Sequence, residues 1–321
     1  MKQIFIHLLP VFFLFGFGSK SLGCKDIKVK KDNSINAFAF TEYTKRDSVI
    51  KKSFDTVKNS SMKEKLKERI SKGEVLKGAV IDIAHPTFIE VVCAAGADFL
   101  FLDFEHGLHD YNDIGQAIRT AELSNVSTLV RLGERSSNLT VRMLDAGATG
   151  ILFPHVETAE EAAEFVSWCR YKPLGIRGSG FARASISYSG NEYERRQQAS
   201  KDVVCIMIVE SLKGKENLAK ILAVEGVSGV FISQGSISME LGLSDWKDPK
   251  VVKVLDEMAT VVKSFPNSAF LRLSLTPDEA VKNVASGANM ILLTHDWQLI
   301  KGMYSGLFND ITNKLNQAAK K

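Results

Sequence analysis

The chain has 321 residues, enough to bury a large core, and its hydrophobic and charged fractions of 45% and 24% are those of an ordinary soluble domain. The net charge of +4 is unevenly spread: residues 1–75 hold sixteen Lys/Arg against eight Asp/Glu, so the remainder carries −4. The basicity belongs to a leader, which excludes the electrostatic footprint of a nucleic-acid binder from the folded body.

Met1 to Gly18 has the layout of a secretory signal peptide, with Lys2 followed by an apolar run from Ile4 to Gly18. A span of about fifteen residues is short for a membrane-crossing helix, which needs roughly 20. Ser21 and Gly23 suit cleavage before Cys24, which gives a signal peptide over residues 1–23. The same Ser21-Leu22-Gly23-Cys24 loosely resembles a bacterial lipoprotein box, which would tether the chain through a lipid on Cys24. Residues 24–60 are rich in Lys, Asn and Ser and are predicted to be a disordered basic linker. A signal peptide followed by such a tract also resembles the two-part leader of proteins sent to secondary plastids. The expectation is entry to the secretory pathway, then either a plastid-like organelle or a membrane anchor. Cys93, Cys169 and Cys205 lie in apolar patterns without metal spacing, as buried free thiols of a reducing or organellar compartment would.

Residues 61–321 form the predicted body. A helix over Ser61–Lys72 flanks its start, with Met62, Leu66 and Ile70 at helical spacing. Strands and helices then alternate: strand Leu76–Ile83, helix Thr87–Ala95, strand Asp98–Phe104, helix Asp110–Leu123, strand Ser127–Leu132, helix Asn138–Ala146, strand Gly150–Val156 and helix Ala159–Cys169. After a long interruption from Arg170 to Lys201 come strand Val203–Val209, helix Lys215–Leu222, strand Ser228–Ser233 and helices to Lys263. Strand Ala269–Leu273, helix Pro277–Ser286, strand Asn289–Thr294 and a closing helix to about Ala318 complete the series. Gly96, Gly147 and Gly287 each follow a helix and precede a strand, as C-terminal caps do, while Pro277 after Thr276 opens a helix. Eight such units point to a (β/α)8 TIM barrel. The rival, an open doubly wound sheet, is disfavoured because no Gly-rich fingerprint follows the first strand.

Barrel enzymes place their chemistry at the carboxyl ends of strands. Those ends carry Asp82 and His85, then Asp103, Glu105 and His106, then Arg131, His155, Glu210, the Ser233–Ser236 turn, Arg272, and His295 with Asp296. The apolar strand Phe99–Leu102 running into Asp103, Glu105 and His106 is the most pointed of these. His85, His109, His155 and His295 read as satisfied loop histidines, with His155 a possible substitute metal ligand beside Glu210. Asp82 and Asp296 are spare carboxylates that could serve as metal ligands, neither of them favoured on its own. Arg177 reads either as a substrate-facing residue or as an ion pair pinning the long loop, the pairing being favoured, and Trp168, Trp246 and Trp297 as packing aromatics.

With Asp103-x-Glu105-His106, Arg131, Gly175-Ile176-Arg177-Gly178 and Glu210 on successive blades, the chain from about Ser60 to Phe308 resembles the HpcH/HpaI aldolase family, class II 2-oxo acid aldolases related to the citrate lyase β subunit. The resemblance implies reversible C–C cleavage of a pyruvate- or oxaloacetate-type aldol adduct through an enolate. It implies His106 as catalytic acid/base, Arg131 as the group that holds and polarises the 2-oxo acid, and Asp103 as the residue ordering the His106 loop. Ser233 and Gly235 map onto the turn that binds the substrate carboxylate, and Glu210 onto a ligand of Mg²⁺ or Mn²⁺. Asp145 matches a family acid whose role would need a neighbouring subunit, and the family assembles as hexamers, so a homo-oligomer is implied. Two departures stand out: Ser236 occupies the position of the family's second metal carboxylate, and Ile208 replaces the family glutamine before Glu210. Losing one of two carboxylates weakens a site for a hard cation. The competing expectations are therefore a degenerate barrel acting as a binding or scaffold protein, and a metal-independent condensing enzyme resembling the citrate-forming members.

Overall fold

The computed structural model describes residues 65–180, 182–183 and 192–319; the signal peptide expected over 1–23 and the linker expected over 24–60 lie outside the described residues. Strands β1 (Leu76–Ile81), β2 (Phe99–Asp103), β3 (Ser127–Arg131), β4 (Gly150–Phe153), β5 (Val204–Val209), β6 (Gly229–Ile232), β7 (Ala269–Ser274) and β8 (Met290–His295) close in that order into a parallel barrel. Helices α1 (Leu66–Ser71), α2 (Pro86–Ala94), α3 (Tyr111–Leu123), α4 (Ser137–Ala146), α5 (Ala159–Cys169), α6 (Glu192–Asp202), α7 (Leu212–Leu222), α8 (Gln234–Glu240), α9 (Pro249–Lys263), α10 (Pro277–Ala285) and α11 (Asp296–Ala318) connect and follow them. The alternation expected of a (β/α)8 barrel is what the chain adopts.

The strands are apolar almost throughout because both faces are covered, and the pleat sorts their residues by parity. Phe99, Phe101, Leu129, Ile206, Ile208, Leu271 and Leu292 fill the barrel interior. The alternate residues Leu100, Leu102, Val130, Cys205, Met207 and Phe270 pack against the helices. Gly229, with φ +155, lies so close to β7 that a Cβ would sit 2.0 Å from the Ala269 carbonyl oxygen. A side chain there would force the two strands apart.

Local chemistry sets the helix ends. Thr158 and Glu161 form a capping box on α5, Asp110 and Asp113 do so on α3, and Thr276 caps α10 just ahead of Pro277. Gly96, Gly147 and Gly287 all take positive φ where the chain turns back toward a strand. Part of the Arg170–Lys201 interruption is helical, since α6 spans Glu192–Asp202. Its sequence is polar nearly all round and buries only Ser200, so no hydrophobic period announces it. Cys93, Cys169 and Cys205 are buried free thiols, and Trp168 packs against Phe153 and Phe165. Trp297, by contrast, is a half-exposed residue on the first turn of α11 and not a packing aromatic.

Candidate active site

Continuing the interior parity of each strand past its carboxyl end selects the groups that reach the barrel mouth. Phe99 and Phe101 lead to Asp103, Leu129 to Arg131, Ile206 and Ile208 to Glu210, Phe231 to Ser233, and Val80 to Asp82. Asp103 and Arg131 are direct register partners on neighbouring parallel strands, so their side chains leave the sheet on the same side.

They form the tightest contact of the mouth. Arg131 Nε donates to Asp103 Oδ1 at 2.9 Å, and Arg131 Nη2 donates to Oδ2, giving the parallel two-bond geometry that favours arginine over lysine. Asp103 Oδ1 also accepts the backbone N–H groups of Glu105 and His106, each at 3.1 Å, which folds the loop back over the strand end. Burial alone would push the Asp103 carboxyl up. The hydrogen bond and charge of Arg131, with the two N–H donors, outweigh it and hold the group below the usual carboxylate range. Arg131 Nε also lies 3.2 Å from Glu105 Oε2.

From Glu105 the polar chain runs across the mouth. Its Oε1 is 3.4 Å from His155 Nε2, and His155 Nδ1 is 2.9 Å from Glu210 Oε1. The His155 backbone N–H donates to the same Glu210 oxygen at 2.8 Å. His155 makes this double contact from a left-handed conformation, φ +56, which costs a residue other than glycine about 1–2 kcal/mol. On its other side Glu210 Oε2 accepts the Ser236 hydroxyl at 3.1 Å, and Ser236 and Ser233 share a hydrogen bond of 2.9 Å. Ser233 opens α8, whose first-turn N–H groups have no acceptors within the helix, and a Cβ on Gly235 would meet open space. His106 stands over this chain with its side chain 67% exposed and Nε2 3.8 Å from Glu105 Oε2.

A second pair sits where β1 and β8 end. His295 Nδ1 is 2.7 Å from Asp82 Oδ2, and this bond pushes the imidazole pKa up against the opposing effect of burial. Asp296 accepts the backbone N–H groups of Asp82 and Ile83 at 3.0 and 2.9 Å, so it laces the two strand ends together and is not a spare ligand. Asp82, Asp103 and His295 bring one ligand atom each within 4.8 Å of one another, a triad able to hold a metal ion, although both Asp103 oxygens already face Arg131.

The structure thus brings Asp103, Arg131, His106, Glu210, Ser233 and Ser236 to one mouth. Several groups stand elsewhere. Arg177 pairs with Asp145 at 2.7 Å, which pins the long loop. His85 caps α2 by accepting from the Thr87 N–H at 3.3 Å. Arg272 has the opposite parity to Leu271 and points into the helix layer, not the mouth. The residue that sequence reasoning undervalued is His155, set down as a loop histidine. Its position straight after β4 was the available signal; the left-handed turn that swings it over Glu210 left no trace in the sequence.

A divalent cation seated against Glu210 would find one carboxylate, the His155 imidazole and the Ser236 hydroxyl within reach. That donor set fits a divalent cation, with nitrogen in place of the absent second carboxylate.

Comparison with known proteins places the chain in a family. The profile of the HpcH/HpaI aldolase/citrate lyase family matches residues 80–301. The 2-keto-3-deoxy-L-rhamnonate aldolase of Escherichia coli (strain K12) is 32% identical over 243 residues, covering 75% of this chain and 90% of that protein. Among solved structures, an HpcH/HpaI aldolase from Desulfitobacterium hafniense DCB-2 superposes with a TM-score of 0.73 at 26% identity, covering 77% of this chain and 96% of that one. The citrate synthase SbnG superposes with a TM-score of 0.70 at 25% identity, covering 78% and 99%. A barrel with these groups at its mouth and this degree of likeness along its length belongs to the HpcH/HpaI aldolase/citrate lyase family.

Proposed function

We infer that the protein is a carbon–carbon lyase that cleaves, and in reverse forms, the aldol adduct of a 2-oxo acid such as pyruvate with an aldehyde. The observation that carries this reading is the unbroken polar chain Asp103–Arg131–Glu105–His155–Glu210–Ser236 across the mouth. Asp103 holds the guanidinium of Arg131 in one plane and leaves its remaining donors for the substrate oxygens. The N–H groups opening α8 between Ser233 and Ser236 receive the carboxylate of the 2-oxo acid. His106, exposed at the rim, takes the proton from the adduct's hydroxyl, directly or through water. The C–C bond then breaks, the aldehyde leaves, and the electron pair settles on the 2-oxo oxygen as an enolate facing Arg131. Return of a proton to carbon gives the 2-oxo acid. Glu210, His155 and Ser236 would hold a divalent cation, which would supply additional positive charge for the enolate.

The experiment is aldol turnover of pyruvate with short aldehydes by the wild-type chain and by His106→Ala, before and after EDTA, with Mg²⁺ and Mn²⁺ added back. Metal-restored turnover that falls on the order of 10²–10⁴-fold in His106→Ala supports the reading; equal turnover in the variant would remove His106 from the chemistry. Ser236→Asp, which restores a second carboxylate, is expected to tighten Mn²⁺ binding at least tenfold by electron paramagnetic resonance titration. A metal-independent condensing reaction is the second reading, favoured by Ser236 at the metal position and by the likeness to SbnG. Turnover unaffected by EDTA would select it.

Two further parts of the proposal concern assembly and delivery. Helix α11 carries Leu299, Met303, Leu307, Ile311 and Leu315 at intervals of four residues, all exposed. We propose that this stripe is covered in a homo-oligomer, to be read as a multiple of the 35.4 kDa chain mass by light scattering and broken by Leu307→Lys. Residues 1–60 are proposed to direct the chain into the secretory pathway, which a fluorescent fusion of that segment would test.

A further inference from the structure

Arg272 lies on β7, but its parity sends the guanidinium outward, between the strand and the helices α9 and α10. It is only 7% exposed. Its Nε has no hydrogen-bond partner, and Nη2 makes just a long 3.5 Å contact with Gln234 Oε1. The ring of Phe270 lies 5.8 Å away, near the outer limit for a cation–π contact. Among the described residues no carboxylate reaches it within ion-pair distance; Asp256 acts on it only through space, and burial pulls its pKa down. A buried guanidinium with no direct ion-pair partner is costly for a fold to contain.

The same guanidinium borders a cavity of about 470 Å³. Trp246, Val252 and Leu255 give that cavity an apolar side, and Asn283, the lysines Lys247 and Lys282 and the carboxylates Asp256 and Glu279 a polar one. Lys247 is already paired with Glu279 at 3.0 Å, so its charge is spoken for. Arg272 is not. The volume falls in the range of small-molecule sites and is far larger than a bare phosphate or sulfate needs.

We propose that this cavity is a second binding site, separate from the barrel mouth, for an organic anion whose carboxylate or phosphate pairs with Arg272 and whose apolar or aromatic body lies against Trp246 and Leu255. The site backs onto the substrate turn, because Gln234, which contacts Arg272, is the first residue of α8 while Ser233 and Ser236 on the same turn face Glu210. An anion that draws the guanidinium away from Gln234 therefore acts on the reverse side of the turn assigned to the substrate carboxylate. The binding proposal itself does not depend on the reaction proposed for the mouth.

The test is isothermal titration of the full chain with phenyl phosphate, phenylacetate, inorganic phosphate and neutral benzyl alcohol at matched ionic strength. Phenyl phosphate, phenylacetate or both are expected to bind saturably, inorganic phosphate at least tenfold more weakly than the better of them, and benzyl alcohol not measurably. Arg272→Met should abolish the binding, whereas Arg131→Met, which empties the mouth of its guanidinium, should leave it intact. Which organic anion binds more tightly assigns the natural headgroup as phosphate or carboxylate. Lys282→Glu, an exposed change on α10, should weaken affinity several-fold and gives a readout should Arg272→Met fail to fold. No saturable binding of either organic anion to the wild-type chain overturns the proposal. So does retained binding in Arg272→Met, loss of binding in Arg131→Met that circular dichroism shows to be folded, or equal affinity for the neutral alcohol.

Discussion

Arg131 on β3 and Arg272 on β7 are guanidinium groups withdrawn from water on strands of one barrel, yet only the first is matched by carboxylates. Arg131 follows the interior parity of its strand and meets Asp103 and Glu105; Arg272 follows the exterior parity and meets a cavity. A guanidinium saturated by acids is already oriented and offers only its spare donors. One left without acids keeps its full charge for something that arrives later. The contrast separates a prebuilt catalytic wall from a vacant counter-charge, and it is open to direct attack.

The largest effect is expected from Arg131→Met. It leaves the Asp103 carboxylate buried without its partner, so unfolding in urea should show a loss of about 3–5 kcal/mol, and aldol turnover should disappear. A loss below about 1 kcal/mol would mean that the backbone donors to Asp103 suffice on their own. Arg272→Met is the opposite arm. Removing a buried charge that has no acid should leave stability unchanged or raised, within about 2 kcal/mol of wild type. If the two variants lose stability equally, the distinction drawn between the arginines is void.

Titration sharpens the comparison further. The Asp103 carboxyl is held low in the folded state, so its stabilising contribution is fully present above the ordinary carboxylate pKa and drains away as pH falls through the lowered folded value. Acid unfolding followed by circular dichroism should therefore be shallower in Asp103→Asn than in wild type below about pH 4. The smallest effect belongs to His295, whose pKa is raised by Asp82. Its contribution is fully present below the ordinary imidazole pKa and is lost as pH rises through the raised folded value. In Asp82→Asn the imidazole resonances should titrate at lower pH, and the alkaline decline in melting temperature should flatten.

Much of the fold was legible because it rests on local rules. Apolar strands of four to six residues, Gly at the turn after each of three helices and Thr276-Pro277 at the head of another mark the barrel units without reference to anything distant. The helix α6 was not legible, since Glu192, Glu194, Arg196 and Lys201 carry no apolar stripe to betray it. In the site, Asp103, Arg131 and Glu210 stood out as ionisable residues ending apolar strands. His155 and His295 did not, because their importance lies in which carboxylates they meet, Glu210 and Asp82, at separations of 55 and 213 residues.

By itself the sequence determined the barrel and its parity, since both follow from the order of apolar and turn residues along the chain, and the motifs at its strand ends carried the likeness to the family. Only the tertiary structure decided the pairings: that His155 bridges Glu105 and Glu210, that Asp296 is used up in joining β1 to β8, and that Arg272 faces away from the mouth without an acid. Hydrophobic period is a one-dimensional signal, whereas a charge acquires its meaning from groups that barrel closure brings within a few ångströms.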